Sequence, residues 1–502
     1  MHFKKLIGSL LLSLLAYSYV GAQSSLIKTD SLHSTTLNQQ RFIQVILPEN
    51  YKAALAQKYD VIYVLDGDGN TPLVSQIAQF IHHEGFMPPA IIVGINNIDR
   101  NKDLTPTHEE DHPTSGGAKD FLTFIKKELI PYIAKTYPAN SNHLLWGHSF
   151  GGLFVTYALL NEPELFSGYI AADPSYWWGN RQMMGMAIKT LPELHPSLKR
   201  LYISGRQGQG MNEMGITRMD SILQRYAPAQ IQAKTVAYEG ETHGTIRLKS
   251  IYDGLRYVYE GYHDKAPVFH PMNGILLTGK PIRLWNFDDT TKVRYTTDGT
   301  TPSQTSSLIH KVLTISQPTT VITRAFTANP TYDKLTTGVF KAGNALLPGK
   351  RDKNLTPGGF HYHYYEGQWN HLPDFDTLQA VKEGRADKDF KLAKLPRRTN
   401  FGLVLSGQIE IKVAGYYIFA LESDDGSRLS LGGQLLIGND SLPEGKGRTY
   451  IVPLQKGFYS FKLDYYQKAG DSSLDLEYVT PDQMNTRNLR SNPIPLELVY
   501  GH

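Results

Sequence analysis

A serine stands between two glycines in LLWGHSFGGLF, residues 144–154. The apolar run before it reads as a strand and the run after it as a helix, so Gly147-His148-Ser149-Phe150-Gly151 fits the G-x-S-x-G turn that joins the two. Small residues at its ends let strand and helix approach, and the turn presents one hydroxyl above the sheet at a helix N-terminus. Such a hydroxyl becomes a nucleophile when a base lies beside it and N–H groups face the oxyanion that its attack creates. The N–H of Phe150 is one such donor. The loop VLDGDGN, after an earlier apolar strand, offers the second at Asp66 or Gly67. Five residues alone can match by chance; the flanking strand and helix give the match its weight.

With this turn the partners follow in the order serine, acid, histidine. AYEGETHGTIRL places His243 in a loop between a strand and a helix, so His243 is the expected base. His143 lies in a strand and His148 faces into the turn, which makes both poorer candidates. The acid is expected after the strand RLYIS, in GRQGQGMNEMGITRMD. Glu213 is favoured because it lies in that loop. Asp220, on the following helix, is the alternative, and a serine–histidine dyad without a firm acid is a third. Asp173, in AADPSYWW, is expected to shape its own loop. Arg100, in the charged stretch NNIDRNKDLTPTHEEDH, either pairs with Asp103 or faces an anionic substrate. Tyr176, Trp177 and Trp178 are expected on the same side as a substrate-binding wall for an acyl or aromatic group, with a core role for at least one as the alternative.

These residues need a scaffold. Strand-like and helix-like stretches alternate over 25–262, which predicts one α/β domain with a mostly parallel sheet and helices on both faces. AKDFLTFIKKELIPYIAKTY, 118–137, reads as a helix disturbed at Pro131. After residue 262 helical periodicity disappears. Short Thr-rich runs over 270–341 predict a small antiparallel β-domain, residues 341–359 read as a linker, and alternation over 355–500 predicts a second all-β domain, a sandwich or barrel. The chain of 502 residues is long enough for several such domains.

Composition narrows the surroundings. A net charge of +4 with scattered basic residues argues against a nucleic-acid partner. Zero cysteines rule out disulfides, thiol catalysis and cysteine-ligated zinc. Residues 1–22 carry a basic start, an apolar run and the small residues Gly21 and Ala22, the pattern of a cleaved signal peptide. The mature chain is therefore expected to lack a transmembrane segment and to be secreted or periplasmic.

Residues 25–262 resemble the esterase family of α/β-hydrolases that includes siderophore (enterobactin-type) esterases, feruloyl and acetyl-xylan esterases and S-formylglutathione hydrolases. The likeness is carried by RFIQVILPENY, YDVIYVLDGDG, IIVGINNIDRNKDLTP, LLWGHSFGGLFVTYALL, DPSYWWGN and HGTIRLKSIYDGLRY. It implies an α/β-hydrolase fold and catalytic roles for Ser149 and His243, with no cofactor for catalysis. VRYTTDGTTPSQTSS resembles the small C-terminal β-sandwich of chitobiases and hexosaminidases. GGFHYHYYEGQWNHLPDF with GYYIFALESDDGSRLSLGG resembles the lectin-like domain of the anthrax protective-antigen type. In sugar-binding members of the latter an Asp–Asp pair holds calcium, a place matched by Asp424 and Asp425, although SDDGS also suits a plain hairpin turn. The expected reaction is hydrolysis of an ester on a glycan, feruloyl or acetyl, with polysaccharide as a partner. A siderophore ester is the alternative substrate, and a glycan-binding protein with an inactive hydrolase domain is the alternative class.

Overall fold

The computed structural model describes residues 27–49, 51, 57–287, 292–386, 390, 394–439, 448–470, 472–485 and 489–502. The expected signal peptide, 1–22, lies outside them. The chain divides into two compact units, Met1–Asp264 and Lys265–His502. No helix among the described residues is long and apolar enough to cross a membrane.

The first unit holds strands β1 (Ile27–Ser34), β2 (Gln39–Ile46), β3 (Tyr59–Val64), β4 (Ala90–Ile95), β5 (Ala139–His148), β6 (Gly168–Ala172), β7 (Lys199–Arg206) and β8 (Ile231–Tyr238). Its helices are α1 (Gly67–His83), α2 (Arg100–Leu104), α3 (Ala118–Phe124), α4 (Ile130–Thr136), α5 (Phe150–Asn161), α6 (Trp178–Thr190), α7 (Gln209–Glu213), α8 (Ile216–Tyr226) and α9 (Ile246–Val258). The sheet runs β1-β2-β4-β3-β5-β6-β7-β8. β1 and β2 pair antiparallel, as do β2 and β4; all later pairs are parallel. β3 and β6 are buried along their whole length. That is why they read as unbroken apolar runs: a parallel sheet with both faces covered has no solvent side for polar residues. One face packs Tyr63, Val93, Leu145, Tyr169 and Leu201 against Phe121, Phe124, Leu153 and Phe154. α1 and α9 pack on each other and on the sheet.

This arrangement is the α/β-hydrolase order. From β3 the chain steps outward to β4 and then returns to the other side of β3 as β5, so the sheet has its switch point between β3 and β5. Open α/β sheets bind ligands there, at the carboxyl ends of the strands. The expected helix over 118–137 runs from Ala118 to Thr136, with a π-helical turn at Ile125–Leu129 between α3 and α4. Pro131 follows just after this turn, so the local disturbance expected at the proline appears as a change of helical winding.

The second unit is built of β-sheets. One eight-stranded sheet runs Val293–Thr296, Thr319–Ala325, Lys334–Ala342, Asn273–Leu276, Arg448–Leu454, Gly415–Ser423, Leu474–Val479, Asn492–Pro493. A second sheet centres on Phe401–Ile411 and Gly457–Gln467. The two pack face to face, with Phe419, Leu421 and Val452 of one sharing a core with Leu403, Leu405, Leu463 and Tyr465 of the other. The two segments expected as β-domains, 270–341 and 355–500, share a sheet. Asn273–Leu276 pairs in parallel with both Lys334–Ala342 and Arg448–Leu454, so one sheet passes through both segments. Gly274 permits the approach, since a Cβ there would stand 2.2 Å from Ile451 Cγ2. The stretch 341–359 is tied down too, by Leu346 N–H to Pro453 O and Gly349 N–H to Phe458 O.

Candidate active site

β5 ends at His148 and α5 begins at Phe150, leaving Ser149 alone in the turn at φ 60, ψ −116. A non-glycine residue there costs of order 1–3 kcal/mol, which the surrounding structure must offset. Ser149 N–H donates to Ala172 O, and Ser149 O accepts from Ser175 N–H and Leu153 N–H, so the turn is bonded on three sides. A Cβ on Gly147 would stand 2.4 Å from the carbonyl carbon and oxygen of Gly151, so this position admits only glycine. Phe150 N–H is the first of the helix-start donors that have no carbonyl of their own helix to bond.

His243 lies between β8 and α9, as expected. Its Nδ1 stands 2.7 Å from Asp173 Oδ2. A carboxylate can only accept, so the proton sits on Nδ1 and neutral His243 presents a bare Nε2, the form a base requires. Asp173 follows β6 at φ 42 and is fully buried. Arg206, the last residue of β7, donates Nε–H to the same oxygen at 2.7 Å, while Asp173 Oδ1 has no hydrogen-bond partner among the described residues. Burial pushes the Asp173 carboxyl up, but hydrogen bonds from His243 and Arg206 and their charges outweigh it and hold the group below its usual range.

The expected acid is therefore corrected. Glu213 ends α7, is exposed, and its side chain makes no hydrogen bond or ion pair among the described residues. Asp220 is bonded to Gln224 Nε2 on α8. The end of β7 contributes a cation, Arg206, ahead of the loop where an acid was expected, and the carboxylate comes from one strand earlier. The signal lay in Asp-Pro at the end of a buried strand: a charge placed there must find partners.

His148 packs beside the base, with ring centroids 4.4 Å apart, and its Nε2 lies 2.6 Å from His243 O. The carbonyl accepts, so His148 carries its proton on Nε2. Burial, then the positive charge of His243 and of Arg247, pushes His148 down to about 4. Ser149 Oγ bonds Ser175 Oγ at 3.2 Å, and no hydrogen bond joins it to His243.

Asp66 caps α1 in a left-handed conformation, φ 52. Its carboxylate takes Arg100 Nε at 2.7 Å and also an Asn97 amide N–H. Arg100 NH2 reaches His148 O at 3.3 Å, and the guanidinium lies 5.1 Å from the Phe150 ring, so it ties the loop after β3 to the serine turn. The Arg100–Asp103 pair does not form: Asp103 is buried against Arg41 at 2.8 Å. The aromatic wall shrinks to one residue. Tyr176 is buried with its hydroxyl 2.6 Å from Thr156 Oγ1, and Trp178 is buried with its indole N–H on Thr107. Trp177 alone stays open, at 43% exposure, 5.9 Å from Phe150.

In the second unit, Asp425 Oδ2 accepts from Lys468 N–H at 2.6 Å and Asp424 Oδ2 from Gln467 Nε2 at 3.0 Å. Both carboxylates thus spend an oxygen on closing the end of the neighbouring strand.

Three family models match stretches of the chain. Residues 282–340 match the model described as Fn3 associated, and residues 362–489 match the PA14 domain. Among curated proteins, the siderophore enterobactin esterase of Emericella nidulans is 35% identical over 128 residues, 22% of this chain and 42% of that protein. The ferri-bacillibactin esterase BesA of Bacillus subtilis is 30% identical over 165 residues, 28% of this chain and 56% of that one. The chain thus spans about half the length of the curated relatives it matches. Among solved structures, an IroE-like serine hydrolase from Shewanella oneidensis shares 30% identity over 46% of this chain and 79% of that one, with a TM-score of 0.43. Residues 34–265, which carry Ser149, His243 and Asp173, match the family model described as Putative esterase.

Proposed function

We propose that the first unit is a serine ester hydrolase acting on siderophore-type esters. The observation that carries the reading is the 2.7 Å bond from His243 Nδ1 to the buried Asp173, in the unit that holds Ser149 on a strained strand-to-helix turn. Ser149 Oγ attacks the ester carbonyl carbon as its proton passes to His243 Nε2, after the hydroxyl turns away from Ser175; such bonds are often loose before substrate binds. The oxyanion is met by Phe150 N–H and by an N–H at Asp66 or Gly67. His243 then protonates the departing alcohol oxygen, leaving an acyl ester on Ser149. Water, giving its proton to His243, attacks that ester and releases the carboxylic acid and free Ser149. No step calls on a cofactor.

The substrate class draws on the two siderophore esterases among the relatives. A second reading, feruloyl or acetyl groups on glycans, draws on the PA14 match in the second unit. Export, to the periplasm or beyond, belongs to the same proposal and rests on the leader-like pattern of 1–22. The test compares kcat/KM on enterobactin and bacillibactin with that on feruloylated and acetylated oligosaccharides. A preference of about tenfold or more for the siderophores, worth about 1.4 kcal/mol, supports the proposal. The reverse preference transfers it to glycans, and turnover of neither contradicts ester hydrolysis.

A further inference from the structure

Far along the sequence from Ser149, two histidines and a glutamate converge on one edge of a sheet. His361 and His363 sit two apart on the strand His361–Glu366, so both side chains leave the same face. The neighbouring strand, Lys382–Arg385, runs antiparallel and places Glu383 directly opposite His363. Glu383 Oε2 stands 3.4 Å from His361 Nε2 and 3.3 Å from His363 Nε2, and one donor atom from each of the three residues falls within 4.8 Å of the others.

These separations suit a common ion. Zinc bonds to imidazole nitrogen and carboxylate oxygen of about 2.0–2.2 Å in tetrahedral geometry put neighbouring ligand atoms about 3.3–3.5 Å apart. The two Glu383–histidine distances already have that length. The histidines are partly buried, at 17% and 34% exposure, and Glu383 is open at 67%, so an ion can enter without unfolding the sheet. Arg385, opposite His361, points its guanidinium onto the carbonyl oxygens of Thr356 and Gly359.

We propose that His361, His363 and Glu383 form a binding site for a zinc-type divalent cation, with a fourth position open to water or a ligand. Two nitrogen donors and one carboxylate are a donor set that zinc accepts. The ion would clip the strand Lys382–Arg385, which pairs only with His361–Glu366 among the described residues, onto the rest of its sheet.

The test uses the full chain without an affinity tag, titrated with Zn2+ against a chromophoric chelator. The expected result is one ion per chain with a Kd in the micromolar range. His363→Ala and Glu383→Gln should each weaken binding about tenfold or more. Glu383→Gln is isosteric and exposed, so it remains a valid test if the histidine variant fails to fold. Zinc should also slow amide exchange in residues 382–385 of the wild type. No binding by the wild type at about 100 times that Kd, or wild-type binding in either folded variant, overturns the proposal.

Discussion

Asp173 Oδ2 is shared by two donors: His243 Nδ1 and the permanently charged Arg206, through Nε, each stand 2.7 Å from it. The imidazole is held in one tautomer by a carboxylate that is itself held. Asp173→Asn presents an amide that can donate to Nδ1 and so stabilises the wrong tautomer. Its kcat should fall by about a thousandfold to ten-thousandfold, as when a triad aspartate is made an amide elsewhere. Glu213→Gln, at an exposed helix end, should leave kcat unchanged. Steady-state kinetics of both variants on one ester separates Asp173 from Glu213 as the acid.

Arg206 acts on the site through Asp173. In Arg206→Met the carboxylate keeps His243 as its only cationic partner, so the acidic limb of kcat/KM should move to higher pH, by about half a unit to one unit. A merely structural role would lower stability and leave the limb where it was. The pH–rate profile distinguishes the two.

His148 makes stability depend on pH. It titrates at about 4 in the folded chain, against an ordinary value near 6.5. Between those values the unfolded chain binds the extra proton, so stability is full above about pH 6.5 and falls as pH drops towards 4, by about 3 kcal/mol in all. His148→Gln keeps a donor for His243 O and removes the titration. The difference in Tm between wild type and variant, followed from pH 7 to pH 4, should narrow or change sign in that window.

The sequence made the serine turn and the base legible because both depend on local order: glycines flank Ser149, and His243 sits between a strand and a helix. Asp173 was misread because its role is set by what strand order brings beside it. Only once β6 lies between β5 and β7 do Ser149, Asp173 and Arg206 become neighbours. Tyr176 and Trp178 failed as a wall for a related reason, since adjacent aromatics do not reveal which one turns inward. The shared sheet of the second unit was hidden because Asn273–Leu276 pairs with a strand more than 170 residues later.

Gly147→Ala tests the close approach at the turn. Its Cβ would meet the Gly151 carbonyl at 2.4 Å, backbone that cannot swing aside. Such a strain in a packed core should cost about 3 kcal/mol or more and abolish turnover in whatever fraction still folds. Gly185→Ala, where a Cβ meets nothing within 4 Å, is the control and should melt like the wild type or slightly above it. Thermal melts of both variants check this.

The central claim is that Ser149 is a nucleophile activated by His243 and Asp173. The direct measurement is labelling of the purified chain with a fluorophosphonate, with the modified residue located by mass spectrometry. The account predicts labelling at Ser149 in the wild type, loss of it in Ser149→Ala, and labelling slowed by orders of magnitude in His243→Ala and Asp173→Asn. Labelling of folded wild type at another residue, or labelling at Ser149 that is equally fast without His243, would contradict it.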